Sequence, residues 1–388
     1  MIVCAVSFFG GKYMYTITLE VNQICNLRCT YCYLGRKTNQ KMSEQIAYKG
    51  LEIAFLNAEN HRDRRLWVDF VGGEALLSLS FLKHLVDYIE GQALKRNILV
   101  TYSITTNGTI LNDEILAWLI KYRIHLKVSI DGDEETHNKN RKRIDGVGSY
   151  SNIIENCMYF KEYEKRTKQY IQAAHVVTQN NYGETFESVC HLVENLNFSI
   201  VDSSIDVMNR WTTDQLDGLA DEWEKVLRYY LKRKKAGKAF LWGPILDLKK
   251  YGENNGESGF CGVGLIQIYI KVDGRIFGCA ANLEDSGCIG DVENGLSKEC
   301  IKRLRKIGKE GNMCSKCSFA VKCQSKNCIM NSLAYSGTVG EHNPDMCILK
   351  GKRGIYGRYM LLNYNFLKIK LEIWVKIRYF YYKYQLMK

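Results

Sequence analysis

The chain has 388 residues, of which 46% are hydrophobic, so it can form one large or two smaller domains with a substantial core. This hydrophobic content excludes an intrinsically disordered chain. A formal net charge of +12 leaves nucleic acid, an anionic membrane surface and an acidic ligand open as partners. The 15 cysteines, an odd number in so long a chain, do not fit a small secreted scaffold held by disulfides.

Residues 1–14 contain no export signal, because they lack a basic region and their apolar run is short before Gly10. We interpret them as a short tail, or as residues upstream of an alternative start at Met14. No uninterrupted apolar stretch reaches the roughly 18 residues that a membrane-spanning helix needs. The sequence therefore predicts a cytoplasmic protein without a membrane span, in which reduced thiols favour metal or redox chemistry.

Strand-like runs alternate with helical patterns through the first half of the chain, residues 15–210. The predicted strands cover residues 16–21, 67–71, 99–105, 124–130, 170–177 and 199–207. Helices are predicted between them, with starts near Ser43, Asn112, Ser151 and Asn181. Strict alternation implies parallel strands with right-handed crossovers, and hence an α/β sheet or a partial barrel. Ligand sites in such folds lie at the carboxyl ends of the strands.

The second half of the chain is predicted to contain three further segments. Residues 211–259 begin with a long amphipathic helix over 213–234, which we interpret as a bridge, and end in a polar, glycine-containing boundary. Nine of the 15 cysteines then fall between Cys261 and Cys347, which indicates a small metal-organised domain over 260–350. Residues 351–388 are basic and aromatic, and we favour a strand or helix packed on the domain over a peptide or membrane contact.

A cysteine loop directly follows the first predicted strand. Cys25, Cys29 and Cys32 form a CxxxCxxC pattern. Three thiolates on one tight loop can hold three irons of a [4Fe-4S] cubane and leave the fourth iron open to a substrate or cofactor. On spacing alone, a zinc knuckle or a coincidental cluster remains open as well.

Three later segments, each at the end of a predicted strand, accompany this loop: Gly-Gly-Glu at 72–74, Thr-Thr-Asn-Gly at 105–108 and Val-Ser-Ile-Asp-Gly at 128–132. In this order they resemble the motifs of the radical SAM superfamily, from Tyr15 to about Val207. The resemblance implies a partial (β/α)6 TIM-like barrel with a catalytic cluster on the three loop cysteines. It also implies contacts to S-adenosylmethionine from Tyr31, Gly72, Gly73, Glu74, Thr106, Asn107, Ser129 and Arg141.

The implied contacts have simple chemical reasons and simple alternatives. A carboxylate such as that of Glu74 suits the methionine ammonium, and glycines let the backbone approach a ligand closely. The resemblance places Ser129 at the ribose and Arg141 at the carboxylate of the cofactor. Asn107 could instead belong to an ordinary Asn-Gly turn that ends a strand. Arg141 could be one member of a solvated basic run over 139–143.

The later cysteines resemble the pattern of the SPASM subgroup of radical SAM enzymes, with one departure, since four residues separate Cys323 from Cys328. The resemblance implies two auxiliary [4Fe-4S] clusters. One would be held by Cys314, Cys317, Cys323 and Cys347. The other would be held by Cys261, Cys279 and Cys328, with Cys288 or an open iron in the fourth position. Structural zinc sites are the alternative, because CxxC pairs serve zinc equally well.

The resemblance implies an enzyme that cleaves S-adenosylmethionine to a 5′-deoxyadenosyl radical, which abstracts a hydrogen from its substrate. SPASM enzymes mostly act on peptides and proteins. We therefore expect a ribosomally made precursor peptide, oxidative formation of a cyclophane C–C or a thioether cross-link, and an electron donor such as flavodoxin or ferredoxin, with no nucleic acid as partner.

Two alternatives to this expectation remain, one of them enzymatic and the other of a different class. An anaerobic sulfatase-maturing enzyme would form formylglycine, but the catalytic aspartate that follows its Gly-x4-Cys is replaced here by Ala280. A non-catalytic zinc or nucleic-acid-binding protein would account for the positive charge.

Overall fold

The computed structural model describes residues 14–207, 209–245, 262, 264–302, 330, 333, 335 and 345. The helices and strands of this part are, in chain order, β1 Tyr15–Glu20, α1 Glu44–Glu59, β2 Arg65–Val71, α2 Leu79–Arg96, β3 Leu99–Thr106, α3 Asp113–Lys121, β4 His125–Ser129, α4 Glu134–Asn140, α5 Tyr150–Glu155, α6 Cys157–Thr167, β5 Gln172–Val177, α7 Thr185–Glu194, β6 Ile200–Ile205, α8 Thr213–Lys235, β7 Leu241–Trp242, β8 Gln267–Ile270, β9 Arg275–Phe277, β10 Cys288–Asp291 and β11 Gly295–Leu296.

These strands belong to one sheet with the order β11-β10-β9-β8-β1-β2-β3-β4-β5-β6-β7. From β1 to β7, neighbouring strands are consecutive in the chain and parallel, and the chain between them carries helices. This confirms the predicted α/β fold with parallel strands. The six predicted strands are all present with ends within two residues of the prediction, and the short strand β7 is an addition.

Local sequence signals set the helix starts. The Ser43 side chain accepts a hydrogen bond from the Ile46 N–H at the start of α1, and the Asn112 side chain accepts one from the Ile115 N–H at the start of α3. Buried apolar side chains of α1, α2 and α3 belong to the same core cluster as those of the strands. The sequence therefore positions the helices on the sheet by caps at their ends and apolar stripes along their length.

The long helix α8 also packs against this core. Leu216, Leu219, Val226 and Leu227 are completely or almost completely buried in it. The helix connects β6 to β7, which pair in parallel, so it serves as a crossover like the helices before it. The predicted boundary at 252–259 and the predicted tail at 351–388 both lie entirely outside the described residues.

Four strands of the cysteine-rich segment extend the sheet beyond β1. β8 pairs in parallel with β1, from Thr16 opposite Gln267 to Leu19 opposite Ile270, and β9, β10 and β11 follow as antiparallel neighbours. Strand β1 is therefore interior to the sheet. Six of the predicted auxiliary-cluster ligands lie outside the described residues: Cys261, Cys314, Cys317, Cys323, Cys328 and Cys347. Among the described residues, no helix combines the length and the apolar character needed to span a membrane.

Candidate active site

A cavity lies at the carboxyl ends of the parallel strands, where ligand sites in such folds are expected. It is lined by the three loop cysteines and by every residue predicted to contact S-adenosylmethionine: Cys25, Cys29, Cys32, Tyr31, Gly72, Gly73, Glu74, Thr106, Asn107, Ser129 and Arg141. The structure thus brings together residues that are spread over more than a hundred positions of the chain. Their roles toward a cluster or cofactor remain predictions.

The three loop thiols are partly exposed to this cavity. Burial raises the pKa of the Cys25 thiol, and it raises that of Cys29 to about 11, although the charge of Arg141 acts in the opposite direction. The Leu27 N–H donates to the Cys25 sulfur at 3.4 Å, and the Lys37 ammonium donates to the Cys32 sulfur. N–H donors suit thiolates, which are the form that binds iron, so the loop fits an iron–sulfur cluster whose binding would release the thiol protons.

The cysteine loop is attached to a later segment, residues 140–143, by backbone hydrogen bonds. The Arg28 N–H donates to the Lys142 carbonyl at 2.7 Å, and the Thr30 N–H donates to the Asn140 carbonyl at 3.0 Å. Leu27 and Arg143 form an isolated antiparallel bridge. The loop therefore has a fixed backbone partner, which the sequence alone did not indicate.

Arg141 lies in this attaching segment, and its side chain points into the protein. It is 5% exposed, so the alternative of a solvated basic run is wrong for this residue. The guanidinium donates to both carboxylate oxygens of Asp131, from Nε at 2.9 Å and from Nη2 at 3.1 Å. Asp131 also accepts hydrogen bonds from the Tyr31 hydroxyl at 2.5 Å and from the Val176 N–H at 2.9 Å.

Asp131 is thus the centre of a buried network that joins β4, β5 and the cysteine loop. Burial raises the pKa of its carboxyl, but the charge and hydrogen bonds of Arg141 act against burial, and the pKa lies below its usual range. Asp131 belongs to the motif at 128–132, but its role could not be assigned from the sequence. The available signal was a carboxylate at a strand end followed ten residues later by an arginine.

The Gly-Gly-Glu segment packs directly on the chain that enters the cysteine loop. The Gly73 N–H donates to the Asn22 carbonyl at 2.8 Å, and the Glu74 N–H donates to the Ile24 carbonyl at 2.7 Å. A Cβ atom on Gly73 would lie 2.2 Å from the Ile24 oxygen, and one on Gly72 would lie 2.7 Å from the Asn22 oxygen. The glycines were expected to let the backbone approach a ligand, and the structure shows an approach to the chain's own backbone.

The Glu74 carboxylate is 1% exposed and connects the ends of β2 and β3. Its Oε2 accepts from the Asn107 N–H at 2.7 Å, and its Oε1 accepts from the Leu76 N–H at 3.1 Å. Burial raises the pKa of Glu74 to about 7, although these hydrogen bonds lower it in part. The Thr106 side chain also hydrogen-bonds to this carboxylate. A carboxylate offers about four acceptor positions, so these three contacts leave capacity for one hydrogen bond from an ammonium in the cavity.

Asn107 braces the cysteine loop from the end of β3. Its Nδ2 donates to the Asn26 side-chain oxygen at 2.8 Å, and the same nitrogen lies 3.9 Å from the Cys25 sulfur. Gly108 has a φ of +76°, and the chain bends at residues 108 and 109, which is consistent with the alternative of an Asn-Gly turn at the strand end. The two interpretations of this segment are therefore compatible.

The wall next to β1 comes from the segment after β9. Ala280 and Ala281 line the cavity. The preceding Cys279 lines a smaller neighbouring cavity, and Cys288 lies partly buried at the start of β10. The position at which a sulfatase-maturing enzyme was expected to carry its aspartate thus faces the candidate active site, and here it holds an alanine.

Comparisons with known proteins agree with this arrangement. Residues 19–193 match the profile of the radical SAM superfamily. The radical SAM cyclopropyl synthase TigE of Paramaledivibacter caminithermalis is 22% identical over 350 residues, which cover 81% of this chain and 67% of TigE. The cysteine-type anaerobic sulfatase-maturating enzyme of Clostridium perfringens is 24% identical over 326 residues, which cover 77% of this chain and 85% of that protein.

A solved structure extends the comparison to the fold. Native anSMEcpe with bound AdoMet and the Cp18Cys peptide superposes with a TM-score of 0.72 at 19% identity, covering 90% of this chain and 98% of that chain. This similarity confirms the expected partial-barrel fold.

Proposed function

Residues 19–193 form a radical SAM domain, and from this premise we propose that the chain is an enzyme that modifies a ribosomally made peptide by oxidative cross-linking. The domain implies a [4Fe-4S] cluster and S-adenosylmethionine, which when bound supply radical abstraction of hydrogen from an unactivated carbon. The alternative of a non-catalytic zinc or nucleic-acid-binding protein is wrong, because the members of this superfamily are catalytic.

A single observation carries the proposal: the loop cysteines and the ends of β2, β3 and β4 line one cavity. In our proposal the three thiolates hold the cluster and Glu74 receives the ammonium of the cofactor. Asp131 holds Arg141 at the cavity wall, where the guanidinium orients the cofactor carboxylate. Asn107 and the glycine pair keep the cysteine loop in position by the contacts described above.

The peptide substrate is supported by the relatives and by the remaining cavity wall. TigE is named as a cyclopropyl synthase, and anSMEcpe was solved with a bound peptide. Beyond the predicted cofactor contacts, strands β5 and β6 and the residue that follows β6 contribute polar side chains to the cavity: Gln172, Asp202, Ser204 and Asp206. These side chains provide hydrogen-bonding surface for a substrate beside the cofactor position.

We further propose that two auxiliary clusters remove the second electron from the substrate. One is held by Cys314, Cys317, Cys323 and Cys347, and the other by Cys261, Cys279 and Cys328 with Cys288 or an open iron in the fourth position. Such a reaction leaves a new intramolecular bond and a loss of about two mass units. The test is anaerobic co-expression with a small precursor peptide encoded beside the gene, followed by mass spectrometry. Changing Cys314 and Cys317 to Ala should leave some 5′-deoxyadenosine formation and abolish the modified peptide.

The proposed role of the cysteine loop can be tested by comparing cysteine variants inside and outside the cavity. Replacing Cys25, Cys29 and Cys32 by Ala should remove about four irons per chain and all modification of the peptide. Cys157 and Cys190 lie on α6 and α7 and do not line the cavity. Replacing them by Ala should leave the iron content and the peptide modification unchanged. Equal iron contents in the two variants would contradict the proposal.

A sulfatase-maturing enzyme is the second candidate, favoured by the 85% coverage of the Clostridium perfringens enzyme. Ala280 in the cavity wall opposes it, because no carboxylate stands at that position to take a proton. Incubation with a cysteine-containing sulfatase peptide distinguishes the two. Conversion of that cysteine to formylglycine, together with an unmodified precursor peptide, would establish this second function instead.

A further inference from the structure

A short hairpin over residues 142–148 stands against the outer side of the cysteine loop. Lys142 and Gly148 form a bridge across its base, and the Arg143 N–H donates to the Val147 carbonyl at 2.8 Å. The same base binds the loop, since the Lys142 carbonyl accepts from the Arg28 N–H. A backbone hydrogen bond therefore connects the 142–148 hairpin directly to the part of the cysteine loop between Cys25 and Cys29.

The tip of this hairpin exposes two large apolar side chains. Ile144 is 65% exposed and Val147 is 57% exposed. A single exposed apolar residue is ordinary, but two on one small protrusion form a patch of the kind that marks contact sites. The 142–148 hairpin thus carries an apolar tip that no described residue covers.

Basic side chains lie at the base of this hairpin and on the adjoining cysteine loop. Lys142, Arg143 and Arg28 are all exposed, and Arg143 pairs with Asp145 at 2.6 Å. The Arg28 guanidinium donates to the Cys25 carbonyl at 2.9 Å and to the Leu27 carbonyl at 2.8 Å, which holds its charge on the outer face of the loop. The surface therefore combines a small apolar tip with an excess of positive charge.

None of the side chains of this surface lines the cavity. A peptide substrate must enter the cavity to react, whereas an electron donor needs only a short path to the cluster. The outer face of the loop supplies that path without blocking the substrate. The geometry therefore favours a donor over a peptide as the partner of this surface.

We infer that the 142–148 hairpin together with Arg28 is the docking surface for an acidic one-electron donor protein of the flavodoxin class. The inference rests on the proposed function, because a donor is needed only if the loop holds a cluster. One electron leaves the reduced flavin, which passes from hydroquinone to semiquinone, and enters the cluster on Cys25, Cys29 and Cys32. No bond forms or breaks in this step. Opposite charges on the two surfaces orient the encounter and raise its rate.

The first test measures binding and requires no turnover. The double variant Lys142→Glu/Ile144→Asp is titrated calorimetrically with a purified acidic flavodoxin in its oxidised form. We expect its affinity to fall by about tenfold or more, and wild-type affinity to fall as salt is raised. The matched control is Leu94→Asp/Lys95→Glu, an exposed apolar and basic pair at the end of α2, just before β3 begins, whereas the cysteine loop lies at the carboxyl ends of the strands. Its affinity should stay within about twofold of wild type.

The second test separates docking from damage to the cluster loop. With dithionite as reductant, the hairpin variant should cleave S-adenosylmethionine at the wild-type rate. With reduced flavodoxin its rate should fall about as far as its affinity did. Equal losses with both reductants, or unchanged flavodoxin binding, would overturn the inference, and so would a loss of affinity for the precursor peptide in place of the donor. Failure of the wild type to react with dithionite would instead overturn the proposed function.

Discussion

Replacing Asp131 with Asn removes the charge at the centre of the buried network while keeping its shape. Asn can still accept a hydrogen bond from Val176 or Tyr31, so the main loss is the ion pair with Arg141. Asp131 is 0% exposed and Arg141 is 5% exposed, so the guanidinium would remain buried without a counterion. Breaking a buried pair in this way costs about 3–5 kcal/mol, and we expect a loss of that size in the free energy of unfolding.

The direction of the pKa shift of Asp131 determines the pH at which the unfolding of the Asp131→Asn variant should be measured. The pKa of Asp131 is lower in the folded protein than in the unfolded chain, where it is about 3.9. Its contribution to stability is therefore complete above the unfolded value and is lost as the pH falls through the folded value. Urea unfolding of the cluster-free protein at neutral pH, followed by circular dichroism, measures the full effect.

Asp69→Asn is the matched control. Asp69 pairs with Lys127 at 3.2 Å inside the barrel, and the two side chains are nearly as buried as Asp131 and Arg141. We expect a comparable loss of stability, but Asp69 has no bond to the cysteine loop, whereas Asp131 binds Tyr31 within it. Asp131→Asn should therefore lower the iron bound after anaerobic reconstitution, and Asp69→Asn should not. An unchanged unfolding free energy for Asp131→Asn, or equal iron losses, would refute the reasoning.

Three further outcomes are expected. Glu74→Gln should keep its iron but bind S-adenosylmethionine more weakly by about 1.5–3 kcal/mol in calorimetry, because a charge-assisted hydrogen bond is lost; an unchanged dissociation constant would mean that the carboxylate does not hold the cofactor. The pKa of Glu74 is raised from 4.5 to about 7 in the folded protein, so the folded state binds the proton more tightly than the unfolded chain does. The cluster-free protein should therefore lose about 3 kcal/mol of stability as the pH rises from about 4.5 to 7. Urea titrations of Glu74→Gln should lack this pH dependence. Gly73→Ala should lower both stability and bound iron, because its Cβ would collide with the Ile24 carbonyl. Gly91→Ala on α2, where no atom of the described residues lies within 4 Å of the added Cβ, should raise stability by about 0.5–1 kcal/mol, and a loss there would contradict the steric argument.

The sequence was sufficient to predict the elements because their signals are local. Alternating apolar residues marked the six long strands, and Ser43 and Asn112 cap the helices that they were expected to start. The site residues then converge because parallel strands present their carboxyl ends at one edge of the sheet. A two-residue strand such as β7 carries too short a pattern to be recognised.

The contacts that hold the site together could not be predicted from the sequence, because they join residues that are far apart in the chain. Tyr31 and Asp131 are 100 residues apart, and nothing near either of them announces the other. Gly72 and Gly73 were attributed to a ligand because a glycine pair signals close approach without specifying what approaches. Their partners, the carbonyls of Asn22 and Ile24, became visible only in the structure.

Because β8 pairs with β1, hydrogen exchange in β1 can show when β8 detaches from the sheet. The Thr16 N–H donates to the Ile266 carbonyl at 2.8 Å, and β1 has β2 on its other side. A chain cut before residue 262 would turn β1 into an edge strand with unpaired backbone groups, which is a template for aggregation. In the intact chain the Thr16 amide can exchange its hydrogen with solvent only when β8 detaches, so its exchange rate measures how often the cysteine-rich segment separates from the barrel.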